Sequence, residues 1–206
     1  MRVVVASRNR HKLCEIGVLL ADAGLPWDLI AIDQVAPECA LFEDETSFEG
    51  NALSKARQAA AASGLPALAD DSGIEVDALG GAPGVYSARW SGQPGSHLCD
   101  DARNNQKMLR ELAGVPMEKR TARYRCAATF VDPARGLEIV RTGTCEGRLL
   151  ESARGTGGFG YDPLFFVESL GRTMAEITLE EKSRLSHRAA AFRQLARALA
   201  QPSGRW

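Results

Sequence analysis

An α/β fold is predicted by three observations at the start of the chain. The β-branched run "RVVVA" at 2–6 reads as a buried strand. Leu13, Ile16, Leu19 and Leu20 then recur at helical spacing until Gly24 and Pro26 end the pattern. "WDLIAI" at 27–32 reads as a second strand, so the chain opens strand–loop–helix–strand.

The other elements follow in order. Residues 33–45 read as loop, acidic at its end. Thr46 and Glu49 have capping-box spacing, and the helix they would start runs through "NALSKARQAAAAS" to a C-terminal cap at Gly64. "PALAD" and "GIEVDAL" read as short strands flanking Asp70 and Asp71, and "GGAPG" separates them from "VYSARWSG". A helix is expected from about Leu98 to Leu112, with Met108, Leu109 and Leu112 facing the core. "ARYRCAATFVD" and "GLEIVRTGTCEGRLL" suggest a long-armed hairpin across a turn at 132–136. "GTGGFGYDPLFF" is a glycine-rich loop entering a short apolar strand. Thr178 and Glu181 form a second possible capping box, and Ser186 can cap a final helix ending near Pro202. With no repeat, low-complexity tract or long linker, 1–206 read as a single domain.

Composition narrows the function classes. Hydrophobic residues make up 45% and charged residues 25%, ordinary values for a soluble globular protein. A net charge of −1 gives no global field for nucleic acid or a membrane surface. No apolar run approaches the ~20 residues that span a bilayer. Cys14, Cys39, Cys99, Cys126 and Cys145 show no C-x-x-C spacing and no ligand spacing to the histidines. That pattern fits reduced thiols in a cytoplasmic protein rather than disulfides or structural zinc.

Several stretches can carry chemistry. Adjacent Asp70 and Asp71 read as a polar turn, or as carboxylates reaching a cleft from a strand end or bulge; within a strand they would face opposite ways. The stretch "PECALFEDETSFEG" adds Glu38, Glu43, Asp44, Glu45 and Glu49. It is a solvated acidic loop, or it supplies one carboxylate that with Asp71 suits a hard cation and substrate phosphates. "SRNRHK" lies between a strand and a helix, where backbone amides and Lys12 can bind an anion. Gly155, Gly157 and Gly160 match G-x-G-x-x-G, but strand-like "PLFF" follows where a dinucleotide site needs a helix. Phe159 and Tyr161 flank Gly160 and can stack on a base or fill the core. Lys182, His187 and Arg188 gather near the helix start at Ser186, as exposed cations or as donors to a phosphate or base oxygen.

In combination and order, "ASRNRHKLCEI", "SFEGNALSKA", "LADDSGIEVDALGGAPGVYSARWSG", "GTGGFGYDPLFF" and "AEITLEEKSRLSHRAAA" resemble the inosine triphosphate pyrophosphatase family over nearly the whole chain. The resemblance implies magnesium-dependent conversion of ITP, dITP and XTP, non-standard purine nucleotides, to the monophosphate and pyrophosphate. It also implies an elongated mixed sheet flanked by helices, two lobes with a central substrate cleft, and a homodimer. Carried over by position, it makes Asp71 proton acceptor and metal ligand, and Glu43 the second ligand. Ser7, Arg8, Asn9, Arg10, His11 and Lys12 would hold the triphosphate, and Ser72 would touch the substrate. Phe159, Gly160, Tyr161 and Asp162 would line the base pocket, completed by Lys182, His187 and Arg188. Arg188 would donate to the 6-oxo group. The family's first motif commonly reads Thr-Gly-Asn, whereas here it reads Ser7-Arg8-Asn9. Arg8 then either marks a differently built loop or adds charge beside the phosphates.

Overall fold

The computed structural model describes residues 1–92 and 100–200. Its strands are β1 Arg2–Val5, β2 Asp28–Ala31, β3 Ala67–Val76, β4 Thr121–Asp132, β5 Leu137–Leu149, β6 Phe165–Val167 and β7 Arg172–Thr173. Its helices are α1 Arg10–Asp22, α2 Ile32–Val35, α3 Phe48–Ser63, α4 Asp101–Glu111, α5 Leu179–Leu185 and α6 His187–Ala200. The strands form one sheet in the order β2-β1-β3-β4-β5-β6-β7. β1 runs parallel to β2 and β3, whereas β6 is antiparallel to β5 and β7. The expected α/β class with a mixed sheet is what the chain forms.

Two compact units divide the chain. The first takes Met1–Asp71, Cys126–Gly143 and the chain from Ser186; the second takes Ser72–Arg125 and Thr144–Leu185. In the first unit β1 is buried on both faces, which is why its apolar run does not alternate. Val3 and Val5 join a cluster with Ile16, Leu20, Phe130, Phe192 and Leu195. Val4 joins a second cluster with Ile32 and the small residues Ala56, Ala59 and Ala60 of α3. Gly143 on β5 meets the start of α6 so closely that a Cβ there would lie 2.3 Å from the His187 carbonyl oxygen. No side chain fits at that position, and its absence lets α6 lie down on the strand. In the second unit Ile74, Val76, Met108, Leu112, Leu149, Leu164 and Phe165 share one core.

Several local expectations need correction. α3 starts one residue later than a Thr46 cap would place it, because the Ser47 hydroxyl accepts from the Gly50 amide at 3.1 Å. A short helix, α2, stands where only loop was expected. The largest correction concerns Asp70–Asp71: neither a turn nor a gap between strands separates "PALAD" from "GIEVDAL", and both residues lie inside the continuous ten-residue β3. The Thr178–Glu181 box does form, each side chain accepting from the other's amide. Ser186 does cap α6, accepting from the Ala189 amide. α4 begins at Asp101 with Asp100 as its cap. The stretch before it, with Leu98 and Cys99, and the tail containing Pro202 lie outside the described residues.

Candidate active site

Because side chains alternate along a strand, the two aspartates of β3 point to opposite faces, and each meets its own cations. On one face Asp71 accepts from the Lys55 ammonium at 3.1 Å and from the Asn51 side-chain amide at 3.1 Å. The Lys55 ammonium also donates to Glu43 at 2.6 Å, so two carboxylates meet on one cation. Asn51 and Lys55 stand four residues apart on α3 and both are buried. Asn51 further accepts from the Glu45 amide at 3.0 Å. Gln58, on the same helix, receives the Phe42 amide and donates back to the Phe42 carbonyl. The acidic loop is thus pinned to α3 on both sides of Glu43.

On the other face Asp70 lies 3.3 Å from the Lys12 ammonium and accepts from Arg188 Nη2 at 2.9 Å and Nε at 3.1 Å. Arg188 also donates to Glu15. Burial alone would raise the Asp70 carboxyl, but Lys12, Arg188 and Lys55 outweigh it and hold it well below the usual carboxylate range. Asp71 goes the other way. Its burial, reinforced by nearby Glu43, exceeds the pull of Lys55 and leaves its carboxyl raised above the ordinary value. These cations, rather than a metal ion alone, make two adjacent buried carboxylates tolerable.

The 7–12 loop is closed by its own side chains. Asn9 caps α1, accepting from the His11 and Lys12 amides, and Ser7 accepts from the Asn9 amide. Those two amides, expected to face an anion, already have a partner. Arg10 pairs with Asp33, and His11 is exposed. The Arg8 guanidinium donates to the carbonyls of Pro37 and Cys39, so it tethers this loop to the segment leading into Glu43. No described residue other than glycine has a positive φ, so the loop takes Arg8 without the backbone that a glycine would allow. Arg188, expected at the base, has its guanidinium buried against Asp70 and Glu15 instead. His187 begins α6 beside it and is buried.

In the second unit Asp162 is the centre of a separate group. Its carboxylate accepts from the Lys182 ammonium at 2.6 Å, the Phe159 amide at 3.0 Å and the buried Tyr124 hydroxyl at 3.2 Å. The Lys182 ammonium lies 5.5 Å from the Phe159 ring centroid. Tyr161 is buried and donates its hydroxyl to the Ser87 carbonyl at 2.8 Å, so it anchors the loop rather than presenting its tip. Phe159 and Gly160 are half-buried, as is Ser72 on β3.

Sequence reasoning overlooked Lys55, Asn51, Glu15 and Tyr124. A signal existed for the first two. Asn51 and Lys55 occupy the same helical stripe as buried Ala52, Ala56 and Ala59, and a polar residue in an alanine stripe needs a partner.

Comparison with known proteins places the whole chain. The Ham1 family model matches residues 3–198. A dITP/XTP pyrophosphatase of Geobacter sulfurreducens is 51% identical over 191 residues, covering 93% of this chain and 92% of that protein. One from Frankia alni is 50% identical, covering 95% and 96%. Among solved structures, a HAM1 protein from Coxiella burnetii superposes with a TM-score of 0.83 at 37% identity, over 98% of this chain and 100% of that one. The Staphylococcus aureus Ham1 protein gives 0.82 at 35%, over 97% and 98%. Matched by the family model over residues 3–198 and by relatives and solved structures over nearly its full length, this chain belongs to the Ham1 family.

Proposed function

We propose that this protein hydrolyses the non-standard purine nucleoside triphosphates ITP, dITP and XTP to the monophosphate and pyrophosphate, removing them from the nucleotide pool. One observation of the site carries the chemistry: Asp71 is buried, raised above the ordinary carboxylate pKa, and held at both oxygens by Lys55 and Asn51. A carboxylate made more basic and fixed in direction is suited to accept a proton from a water attacking phosphorus. The relatives' printed activity and the family membership support the substrate class.

Each group then has a part. Asp71 takes the proton of the water attacking the α-phosphorus. Lys55 and Asn51 keep its lone pairs aimed. Lys12 and the 7–11 loop meet the triphosphate, and Ser72 touches the substrate. The Phe159 ring stacks on the purine, while Asp162 and Lys182 hold the loop that carries it. Arg188 acts as the counter-charge that keeps Asp70 ionised.

The donor chemistry at Glu43 and Asp71 fits magnesium. Two carboxylates converge where a cation already sits, and magnesium is held by one or two carboxylates together with phosphate oxygens. Among the described residues no set of three or more His, Cys, Asp or Glu forms a protein-only cage. When bound there, the ion supplies polarisation of the phosphoryl oxygens and neutralises developing charge. Magnesium, a homodimeric assembly and a cytoplasmic location belong to this proposal and are supported by the family resemblance.

The test is pyrophosphate release from ITP, XTP, GTP and ATP, with and without magnesium. Fast magnesium-dependent release from ITP and XTP, weak on GTP and ATP, is expected. Orthophosphate as product overturns attack at the α-phosphorus. Equal rates on all four keep the reaction and remove the selectivity. Binding of ITP without turnover makes the protein a nucleotide sensor.

A further inference from the structure

Gly160 sits between Phe159 and Tyr161 with φ +63°, and a Cβ added there would meet nothing within 4 Å. Glycine is thus required at this point by backbone conformation and not by space. The same freedom makes it the weakest joint of the loop, because glycine resists ordering more than any other residue. Two side chains from α4 remove that freedom. The Asp101 carboxylate accepts from the Gly160 amide at 2.6 Å, and the Asn105 amide donates to the Gly160 carbonyl at 2.8 Å. The two bonds grip successive peptide planes, one on each side of the Gly160 Cα, and so fix both of its torsions. Asn105 also donates to the Asp101 carbonyl at 2.9 Å, which ties the two halves of the clamp together.

α4 itself is held in place for this task. Buried Asn104 accepts from the Ser91 amide at 2.7 Å and donates to the Ala88 carbonyl at 3.1 Å. Lys107 donates to the Trp90 carbonyl at 2.8 Å and lies 3.8 Å from the Trp90 ring centroid. The adjacent asparagines therefore serve two loops: Asn104 fastens the helix to residues 88–91, and Asn105 fastens the 159–162 loop to the helix.

We propose that Asp101 and Asn105 are positioning residues for base recognition, holding Gly160 so that the flanking ring of Phe159 is presented in one orientation to the purine. This rests on the assignment of residues 159–162 to the base. Neither side chain is asked to touch the triphosphate or the reacting atoms, so their loss should weaken what depends on the base and spare what does not.

Steady-state kinetics with ITP and inhibition by inorganic tripolyphosphate, which has no base, separate these effects. Asn105→Ala is expected to raise KM for ITP about tenfold, the scale of one well-placed hydrogen bond. Its kcat and its inhibition by tripolyphosphate should stay at the wild-type values. Asp101→Ala should behave in the same way, and Asp101→Asn, which keeps an acceptor, should restore KM. Equal loss of ITP and tripolyphosphate affinity, or a fall confined to kcat, overturns the clamp as a base-positioning device. Wild-type kinetics in both alanine variants overturns it alone, whereas a wild-type protein inactive on ITP sinks the underlying assignment and the clamp with it. Should Asn105→Ala not fold, Gly160→Ala strains the same torsion without a clash; an unchanged KM there overturns the proposal.

Discussion

In the first unit the Lys55 ammonium is shared by two carboxylates, Glu43 and Asp71; in the second, Lys182, a phenol and a backbone amide all donate to one carboxylate, Asp162. The ingredients are alike but the sharing is reversed: two carboxylates meet on one ammonium in the first unit, and several donors meet on one carboxylate in the second. The named groups around β3 hold four carboxylates, Glu15, Glu43, Asp70 and Asp71, against three cations, Lys12, Lys55 and Arg188. Burial first, and then the charge of Glu43, raises Asp71 above the ordinary carboxylate range. Around Asp162 the Lys182 ammonium meets the carboxylate and neutral donors complete it, beside the Phe159 ring. On the proposed function, a buried Asp–Lys pair is reactive where a second carboxylate shares the lysine and structural where neutral donors share the aspartate.

Four substitutions can break that contrast. Asp71→Asn keeps the shape but removes the proton acceptor, so turnover of ITP should fall about 10²–10⁴-fold with the melting temperature preserved. A retained rate would make Asp71 as structural as Asp162. Arg188→Ala takes a buried guanidinium away from buried Asp70, and a buried charge robbed of its partner costs about 3–5 kcal/mol. Denaturant unfolding should show this loss. A stable variant with altered ITP-over-ATP preference would instead return Arg188 to the base.

The acid limb of stability comes next. Asp70 has a folded pKa below its unfolded value, so its contribution is fully present above the ordinary carboxylate pKa of about 4 and drains away as pH falls further. Wild type should lose stability steeply below that pH, and Asp70→Asn, weaker at neutral pH, should show a flatter acid limb. Parallel curves would mean that Asp70 is not the group protonated on acid unfolding. Tyr124→Phe, finally, deletes one neutral donor from Asp162 and should cost about 1 kcal/mol with kcat intact. A large fall in kcat would erase the distinction between the two units.

What was legible in the sequence followed the range of the interactions. The Thr178–Glu181 box and the Ser186 cap bond within three residues, and both form as their spacing says. At the start of α3 two hydroxyls stood side by side, and spacing alone favoured Thr46 although Ser47 makes the bond. The Asp70–Asp71 pair misled for a deeper reason. Its local chemistry says turn, and only cations distant in sequence, Lys12, Lys55 and Arg188, make a buried strand bearable there. Arg188 misled in the opposite sense: a cation near a helix start looks available, and its Asp70 partner lies 118 residues away. The family motifs name segments, but they do not say which side chains in them face one another.

The aspartate doublet also bears on how β3 finds its register. Shift the strand by one residue in one direction and Ser72 replaces Asp71 opposite Lys55; shift it the other way and Ala69 replaces Asp70 opposite Arg188. Either slip buries a cation against a residue that carries no charge to meet it, and it also moves Leu68 to the face where Ala67 and Ala69 pack against the alanines of α3. The doublet is therefore a frame check on the polypeptide: an insertion or deletion between Ala67 and Ser72 is opposed by charge as well as by packing.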